Sequence, residues 1–380
     1  MLKIFGTHDD ATVQQMWTCL GVGSAVGGVI CADGHLGYAQ PVGGVIAYTD
    51  HISVSGVGFD IGCGNMAVKT DIGYDDIKHR IPEIAKQINK KISFGVGRTY
   101  GPSDNDKSRI DHPLFESDKW VEADVAHLKA MAEGQLGTVG SGNHYVDLFR
   151  DEDDFIWIGV HFGSRGLGHK IATKYLKLAG GVDGMHVPPA VLEVDSDLGR
   201  AYIAGMELAG EYAYAGREFV VKTVVNMIAG KVTDSIHNHH NYAWKETHDG
   251  SEYWVVRKGA TPAFPGQRGF VGGSMGDDAL IVEGTDTPES KEAWYSTVHG
   301  AGRLYSRSRA KKELDRDEME RWLAEKGVHR IGGDLDESPM AYRRLTDVIH
   351  AHGDTVKVRH VLHPIIAVMA GNDVRDPYKD

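Results

Sequence analysis

Three observations predict a fold of the α+β or α/β class, with α+β the reading carried forward. Seven short apolar runs read as strands, five longer segments carry helical spacing, and the two kinds alternate irregularly along the chain. No repeat, low-complexity tract or linker divides the 380 residues, a length that suits one large domain or two ordinary ones.

The helical candidates begin with residues 75–91 (DDIKHRIPEIAKQINKK), where apolar side chains recur every three or four positions behind an early Pro. Residues 117–133 follow, then much of 189–231, which is long enough for two or three segments or one broken helix. Residues 303–325 and 339–352 complete the set. The strand candidates are VGGVIAY (42–48), NMAVKT (65–70), HYVDLF (144–149), FIWIGVHF (155–162), EYWVVRK (252–258), DALIVEG (278–284) and HPIIAVMA (363–370). Each is short, apolar and rich in β-branched or aromatic residues.

Composition narrows the function classes. Apolar residues at 41% and charged residues at 25% are near globular averages, which excludes wholesale disorder. Three Cys are too few for a secreted disulfide framework. The start MLKIFGTHDD is no signal peptide and no run of ~18 uncharged apolar residues occurs, so a soluble cytoplasmic protein with no membrane partner is expected. The net charge of −12 argues against a uniformly basic nucleic-acid grip but leaves room for a local basic cleft. Basic residues cluster in VVRKGATPAFPGQRG (255–269) and RLYSRSRAKK (303–312), which on charge alone read as solvated faces.

Glycine is unusually frequent, at 48 residues, and His reaches 20. Polar residues of chemical use gather in six Gly-rich turns: GFDIGCGN (58–65), VGSGNHYVD (139–147), HFGSRGLGH (161–169), HNHHNY (237–242), GQRGFVGGSMG (266–276) and VHGAGR (298–303). Such turns let backbone approach a ligand and aim N–H groups at phosphate. None matches the G-x-x-x-x-G-K-[ST] phosphate loop, and no G-x-G-x-x-G fingerprint sits in a clear strand–turn–helix unit.

Asp60, Cys63, His144, His161 and His240 together offer one sulfur, one oxygen and three nitrogen donors. That mixture suits Mn, Zn, Fe or Co better than Ca or Mg, and a thiolate can bridge two ions. Taken singly, the Cys also reads as a small buried hydrophobe and each His as a hydrogen-bonded core or surface residue. His299 precedes Gly300, Ala301 and Gly302 and is sterically open; a neutral imidazole there could attack phosphorus, with Arg303 stabilising the phosphoryl charge. The alternative is a His at a helix start with ordinary packing. In GGSMG (272–276), Ser274 and successive N–H groups form either an anion nest or a plain turn.

Taken in order, GHLGYAQPVGGVIAY, GVGFDIGCG, GSGNHYVDLF, HFGSRGLGH, NHHNYAW, RKGATPAFPGQRGFVGGSMG, HGAGRLYSRSRAKK and ESPMAY resemble the RtcB family of RNA-splicing ligases over roughly residues 30–371. The resemblance implies a single-domain α+β fold at 1–371, with mixed sheets around a metal-containing cleft, and a tail at 372–380. It implies joining of an RNA 3′-phosphate or 2′,3′-cyclic phosphate end to a 5′-hydroxyl end, in tRNA splicing or RNA repair, with GTP and two Mn(II) ions. A cyclic end would first be opened, His299 would take GMP from GTP, the guanylate would pass to the RNA 3′-phosphate, and the 5′-hydroxyl would displace it. Some relatives use an archease-type activator.

Residue by residue, Asp60, Cys63, His144, His161 and His240 match the family's metal ligands, with His239 a second candidate beside His240. Asn143, Tyr145, Asn241 and Met275 match nucleotide-binding positions, as does His240 itself; Ser274, Gly300, Ala301 and Gly302 match phosphate and ribose contacts. Tyr342 matches an aromatic near the base and Arg165 a residue that meets RNA phosphate. Three positions depart where the family reads guanine: Asp147 replaces Glu, Ala279 replaces Ser, and Met369 replaces Lys. The departures put the base preference in doubt. Two other readings are an RNA-end binding protein with a metal cleft and a metal-dependent cyclic phosphodiesterase; the intact HGAGR favours ligation over both.

Overall fold

The computed structural model describes residues 1–100 and 110–371; the tail expected at 372–380 lies outside the described residues. Two larger sheets carry the fold. One runs, edge to edge, Leu2–Ile4, Ala25–His35, Val42–Tyr48, Ser251–Lys258 and Asn241–His248. The other runs Arg268–Val271, Ala279–Gly284, Val356–Met369, Tyr145–Arg150, Phe155–Phe162, Gly64–Gly73 and Val232–His239, with His329–Ile331 paired onto Val356–Met369. Only Leu2–Ile4 and His329–Ile331 pair in parallel within these sheets, so the architecture is α+β. All seven predicted runs are strands. Ala25–His35, Val232–His239 and Asn241–His248 have no counterpart among them: a Gly pair and Asp33 interrupt the apolar run of the first, and charged and His-rich stretches hide the alternation of the other two.

Helix Asp197–Met227 is the main packing element and corrects the expectation of a broken segment over 189–231: it is one continuous helix of 31 residues, preceded by the short strand Val191–Glu193. The Ser196 side chain caps it by accepting from the Gly199 N–H. Its glycines do not break it, although each costs ~1 kcal/mol relative to Ala in a helix. Gly205 lies against Ile171 and Ala123, and Gly210 against Tyr242 and His239, where a methyl would stand 2.8 Å from the Tyr242 ring. Packing therefore holds what propensity disfavours.

Two more helical expectations need correction. Residues 117–133 divide into Lys119–Glu122, a 3₁₀ turn at Ala126–Leu128 and the helix Lys129–Gln135. The break falls at Asp124, whose φ is 49°; the carbonyls it frees accept from Tyr175 Oη, at Ala123, and Lys174 Nζ, at Asp124. In 75–91 the continuous helix is Ile81–Lys91, with Pro82 in its first turn and short turns before it. The segment 303–325 holds Arg307–Glu313 and Arg316–Glu325, and 339–352 holds Leu345–Ala351 after a 3₁₀ turn at Pro339–Ala341. All three Cys are buried and unbridged.

Register explains how distant residues meet. Five adjacent strands of the larger sheet end at one edge, where Tyr145 pairs with both His161 and Met369, and Gly64 pairs with both Phe162 and His239. His239 closes a strand of the larger sheet and Asn241 opens one of the smaller, so His240 is the link between sheets. In the smaller sheet Asn241 pairs with Lys258, which pairs with Gly44. The two sheets present these strand ends to a common space.

Candidate metal and nucleotide site

A cleft of about 570 Å3 opens there, and all six Gly-rich turns contribute to its lining. The turns brace one another. His240 N–H donates to Cys63 O at 2.8 Å, Gly62 N–H to Asn241 O at 2.8 Å, and the Ser164 hydroxyl to Ile61 O. Gly163 has a reason of its own: a Cβ there would overlap the Asp60 carboxylate. Gly140 likewise leaves room for the His144 ring and the Arg165 guanidinium.

Cys63, His144 and His161 point one donor each into a group whose atoms all lie within 4.8 Å of one another. Cys63 Sγ is 3.3 Å from His161 Nε2 and 3.6 Å from His144 Nε2. Asp60 Oδ2 is 3.2 Å from His144 Nε2. The His240 ring lies 5.1 Å from that of His161 and 4.9 Å from that of His299, so it bridges the sulfur cluster and the His299 turn. His239 is turned away: its Nδ1 meets Gly62 O and the Arg217 guanidinium, and its ring stacks on Tyr214 and Tyr242.

The donor set fits a divalent transition ion. Burial, helped by the charges of neighbouring imidazoles, holds His161 and His240 well below the ordinary imidazole value, so both are neutral and keep a lone pair. His161 Nδ1 sits 3.0 Å from Asn143 O, which assigns its proton there and leaves Nε2 facing Cys63. The Nδ1 atoms of His144 and His240 are buried without a hydrogen-bond partner. Burial and then the Asp60 charge push the Cys63 thiol well up, a state that a bound cation would reverse by favouring the thiolate. Burial raises Asp60, but the His144 hydrogen bond and charge, with Arg165 beyond, bring it below the usual carboxylate range.

His299 stands on a turn held from three sides. Gly300 forms a bridge with Gly272 of the GGSMG turn, Arg303 bridges Tyr342, and Gly302 O accepts from Arg343 N–H at 3.0 Å. Asp33, fully buried, holds the ring: its Oδ2 accepts from His299 Nδ1 at 2.6 Å. Burial raises the Asp33 carboxyl, but the charge and hydrogen bonds of His299 bring it below its ordinary value, so it is an anion. With Nδ1 engaged by the carboxylate, Nε2 is the ring nitrogen left for a substrate, on a ring that lines the cleft beside His240. Sequence reading missed Asp33. The available signal was a carboxylate inside the apolar run VICADG, which burial obliges to find a partner.

The remaining candidates fall into place unevenly. Asn143, Tyr145, Asp147, Asn241, Ser274 and Met275 line the cleft, as do Tyr342 and Met369. Asn241 Oδ1 accepts from Gly259 N–H at 2.7 Å, and the Tyr145 hydroxyl and Ser274 Oγ are buried without partners. Asp147 is buried, accepts from Val368 N–H at 3.2 Å, and is pushed well above the usual carboxyl range by desolvation. Ala279 does not line the cleft; it packs in the core cluster shared by Met275 and Met369. Arg303 lies in the wall with its guanidinium already engaged: Nε donates to Tyr305 O, Nη1 to Tyr342 Oη and Nη2 to Asp336 O. Arg165 sits at a φ of 56° and donates to Gly95 O at 2.8 Å.

The basic runs are not simply solvated faces. Arg257 is fully buried and pairs with Glu246, Lys258 lines the cleft, and Arg303 and Arg307 build its wall against Asp336 and Glu337. Arg268 is exposed and paired with Asp234.

No helix among the described residues is long and apolar enough to cross a membrane. A family model described as tRNA-splicing ligase RtcB matches residues 22–370. The RNA-splicing ligase RtcB of Escherichia coli (strain K12) is 32% identical over 367 residues, covering 89% of each chain. The tRNA-splicing ligase RtcB of Thermococcus kodakarensis is 29% identical, covering 84% of this chain and 82% of its own. RNA-splicing ligase RtcB homolog 2 of Entamoeba dispar is 29% identical, covering 88% of this chain and 79% of its own.

Proposed function

This chain belongs to the RtcB family, and from that premise we propose that it is an RNA ligase that joins a 3′-phosphate or 2′,3′-cyclic phosphate end to a 5′-hydroxyl end through a nucleotidylated His299. The observation that carries the reading is His299 itself, an imidazole oriented by Asp33 beside the His/Cys group. Nε2 attacks the α-phosphorus of a nucleoside triphosphate; a P–N bond forms, the α–β phosphoanhydride breaks, and pyrophosphate leaves. Asp33 stabilises the positive charge that develops on the ring. The nucleotide then passes to the RNA 3′-phosphate, which thereby gains a leaving group, and the 5′-hydroxyl displaces it.

Asp60, Cys63, His144, His161 and His240 are the residues that would hold Mn(II), proposed as two ions. When bound, the ions offset the charge gathered by triphosphate and RNA and act as Lewis acids. Ser274, Gly300, Ala301 and Gly302 cradle the phosphates and ribose, with Asn143 and Asn241 beside them. Tyr342, Met275, Met369, Tyr145 and Asp147 surround the base. Arg303 acts by fixing Tyr342 and the turn at 336–337, and its charge reaches the phosphates from the wall. Arg165 meets RNA phosphate. The proposed setting is the cytoplasm, in tRNA splicing or RNA repair, with an archease-type activator as a candidate partner.

GTP is the proposed donor, with selection relaxed by Met369 and by the short, buried Asp147, whose carboxyl is raised above its usual range. A site that hydrogen-bonds a base fully rejects analogues by ~10⁴-fold or more; discrimination here falls short of that. Mn(II) with each labelled triphosphate in turn measures it. For joining, RNA with matched ends is offered to the parent and to His299→Ala. Loss of joining with cyclic-end opening retained supports the ligase. A parent that opens cyclic ends and never joins overturns it.

A further inference from the structure

The cleft extends beyond the residues used above. A second wall carries Phe59, His169, Tyr38, Lys170 and Lys258, none of them among the proposed nucleotide contacts or the His/Cys group. The two walls rest on different cores. Phe59 packs against the cluster containing Ile61, Leu167 and Ala172, whereas Tyr145, Met275 and Met369 belong to another.

On this second wall the Phe59 and His169 rings stack, with centroids 5.3 Å apart and planes at 28°. Both are half-buried and both line the cleft. Phe59 is the chain neighbour of Asp60, and His169 lies one helical turn beyond Arg165, so the ring pair adjoins the reacting centre by connectivity. Cations surround the pair. Lys170 is exposed at the cleft, and Lys258 lines it with a stem 3.6 Å from the Cβ position of Gly58 and its Nζ on Tyr38 O at 2.6 Å. Arg165 and His144 both lie against Gly140, and the Arg165 charge is felt by Asp60. The signs of the walls differ. The nucleotide wall sets Arg303 and Arg307 against Asp336 and Glu337, while the second wall sets Arg165, Lys170 and Lys258 against Asp60 and Asp183.

We infer that the Phe59–His169 pair is a stacking platform for the RNA base next to the ligation junction, with Lys170 and Lys258 tracking the adjoining phosphates. Flat rings interleaved with cations suit single-stranded nucleic acid, because every base has a π-face and every nucleotide a charge. A local basic wall also explains how a chain of net charge −12 recruits a polyanion. The inference rests on the ligase reading and assigns it a substrate subsite.

The test uses Phe59→Leu, which keeps apolar packing and removes the π-face, and Phe59→Tyr, which keeps it. Single-stranded RNA oligonucleotides carry 2-aminopurine as the terminal base, in one arm beside a 3′-phosphate and in the other beside a 5′-hydroxyl. The expected result is quenching of one arm on binding to the parent and to Phe59→Tyr. Phe59→Leu is expected to lose the quenching, raise the RNA KM about 10-fold, and leave the rate of His299 nucleotidylation unchanged. Unaltered RNA affinity in Phe59→Leu, with a parent that joins RNA, overturns the platform alone. An equal loss of nucleotidylation in Phe59→Leu makes Phe59 structural and also overturns it. A parent that neither binds nor joins RNA overturns the platform together with the ligase reading.

Discussion

Asp33 takes three hydrogen bonds from the His299 turn on one carboxylate oxygen: from Nδ1 at 2.6 Å, from the His299 N–H at 3.0 Å and from the Gly300 N–H at 3.3 Å. One buried anion thus sets ring orientation, tautomer and the path of the loop.

Replacing it separates these roles. Asp33→Asn keeps an acceptor of the same shape and removes the charge that stabilises the ring as Nε2 bonds to phosphorus. The rate of His299 nucleotidylation is expected to fall about 10²- to 10⁴-fold, measured in single turnover, with the circular dichroism spectrum unchanged.

Two buried carboxyls respond to pH in opposite senses. Asp33 is depressed in the fold, so its contribution to stability is present above the unfolded value of ~3.9 and is lost as pH falls through the folded one. Asp147 is raised, chiefly by desolvation, so its contribution is full below ~3.9 and is lost as pH rises towards the folded value. Asp147→Asn therefore gains on the parent as pH rises from about 4 to 7, by at most ~1.4 kcal/mol per pH unit. Urea denaturation of both proteins across that range reads the difference, and a gap independent of pH contradicts it.

Metal binding has two handles. Co(II) added to the parent is expected to give sulfur-to-cobalt absorption in the near ultraviolet, and Cys63→Ser to abolish it. Metal at 100 times its Kd adds ~2.7 kcal/mol to unfolding free energy, and this increment should shrink in Gly163→Ala, where the added methyl displaces the Asp60 carboxylate. Calorimetric titration with Mn(II) checks the affinity directly.

The long helix allows a paired comparison. Gly210→Ala places a methyl 2.8 Å from the Tyr242 ring, whereas Gly216→Ala meets Phe162 at 3.3 Å and little else. Overpacking costs ~1–3 kcal/mol and the helix gains ~1 kcal/mol from Ala. Gly210→Ala is expected to be net destabilising and Gly216→Ala close to neutral, read from denaturant midpoints.

These residues also mark how far sequence carries. The strand runs were legible because β-branched apolar stretches bounded by Gly have few other uses, and the Gly-rich turns stood out because each carries a group with chemistry. The helix Asp197–Met227 was seen but misjudged, since its glycines count against it until their neighbours are known. Asp33 was hidden among 53 acidic residues, one position before the run beginning at Gly34. Its partner is 266 positions away, and only the meeting of a strand end with the HGAGR turn brings them together. Arg257 was obscured for the same reason: a basic run does not reveal that one member turns inward to Glu246.

Everything proposed for the reaction passes through one bond, between His299 Nε2 and phosphorus. The protein is incubated with Mn(II) and GTP, digested at alkaline pH to preserve phosphoramidates, and examined by tandem mass spectrometry. A GMP adduct is expected on the peptide bearing His299, absent from His299→Ala and much slower to form in Asp33→Asn. Absence of any adduct there with GTP or the other three triphosphates, in a parent that joins RNA, would contradict it.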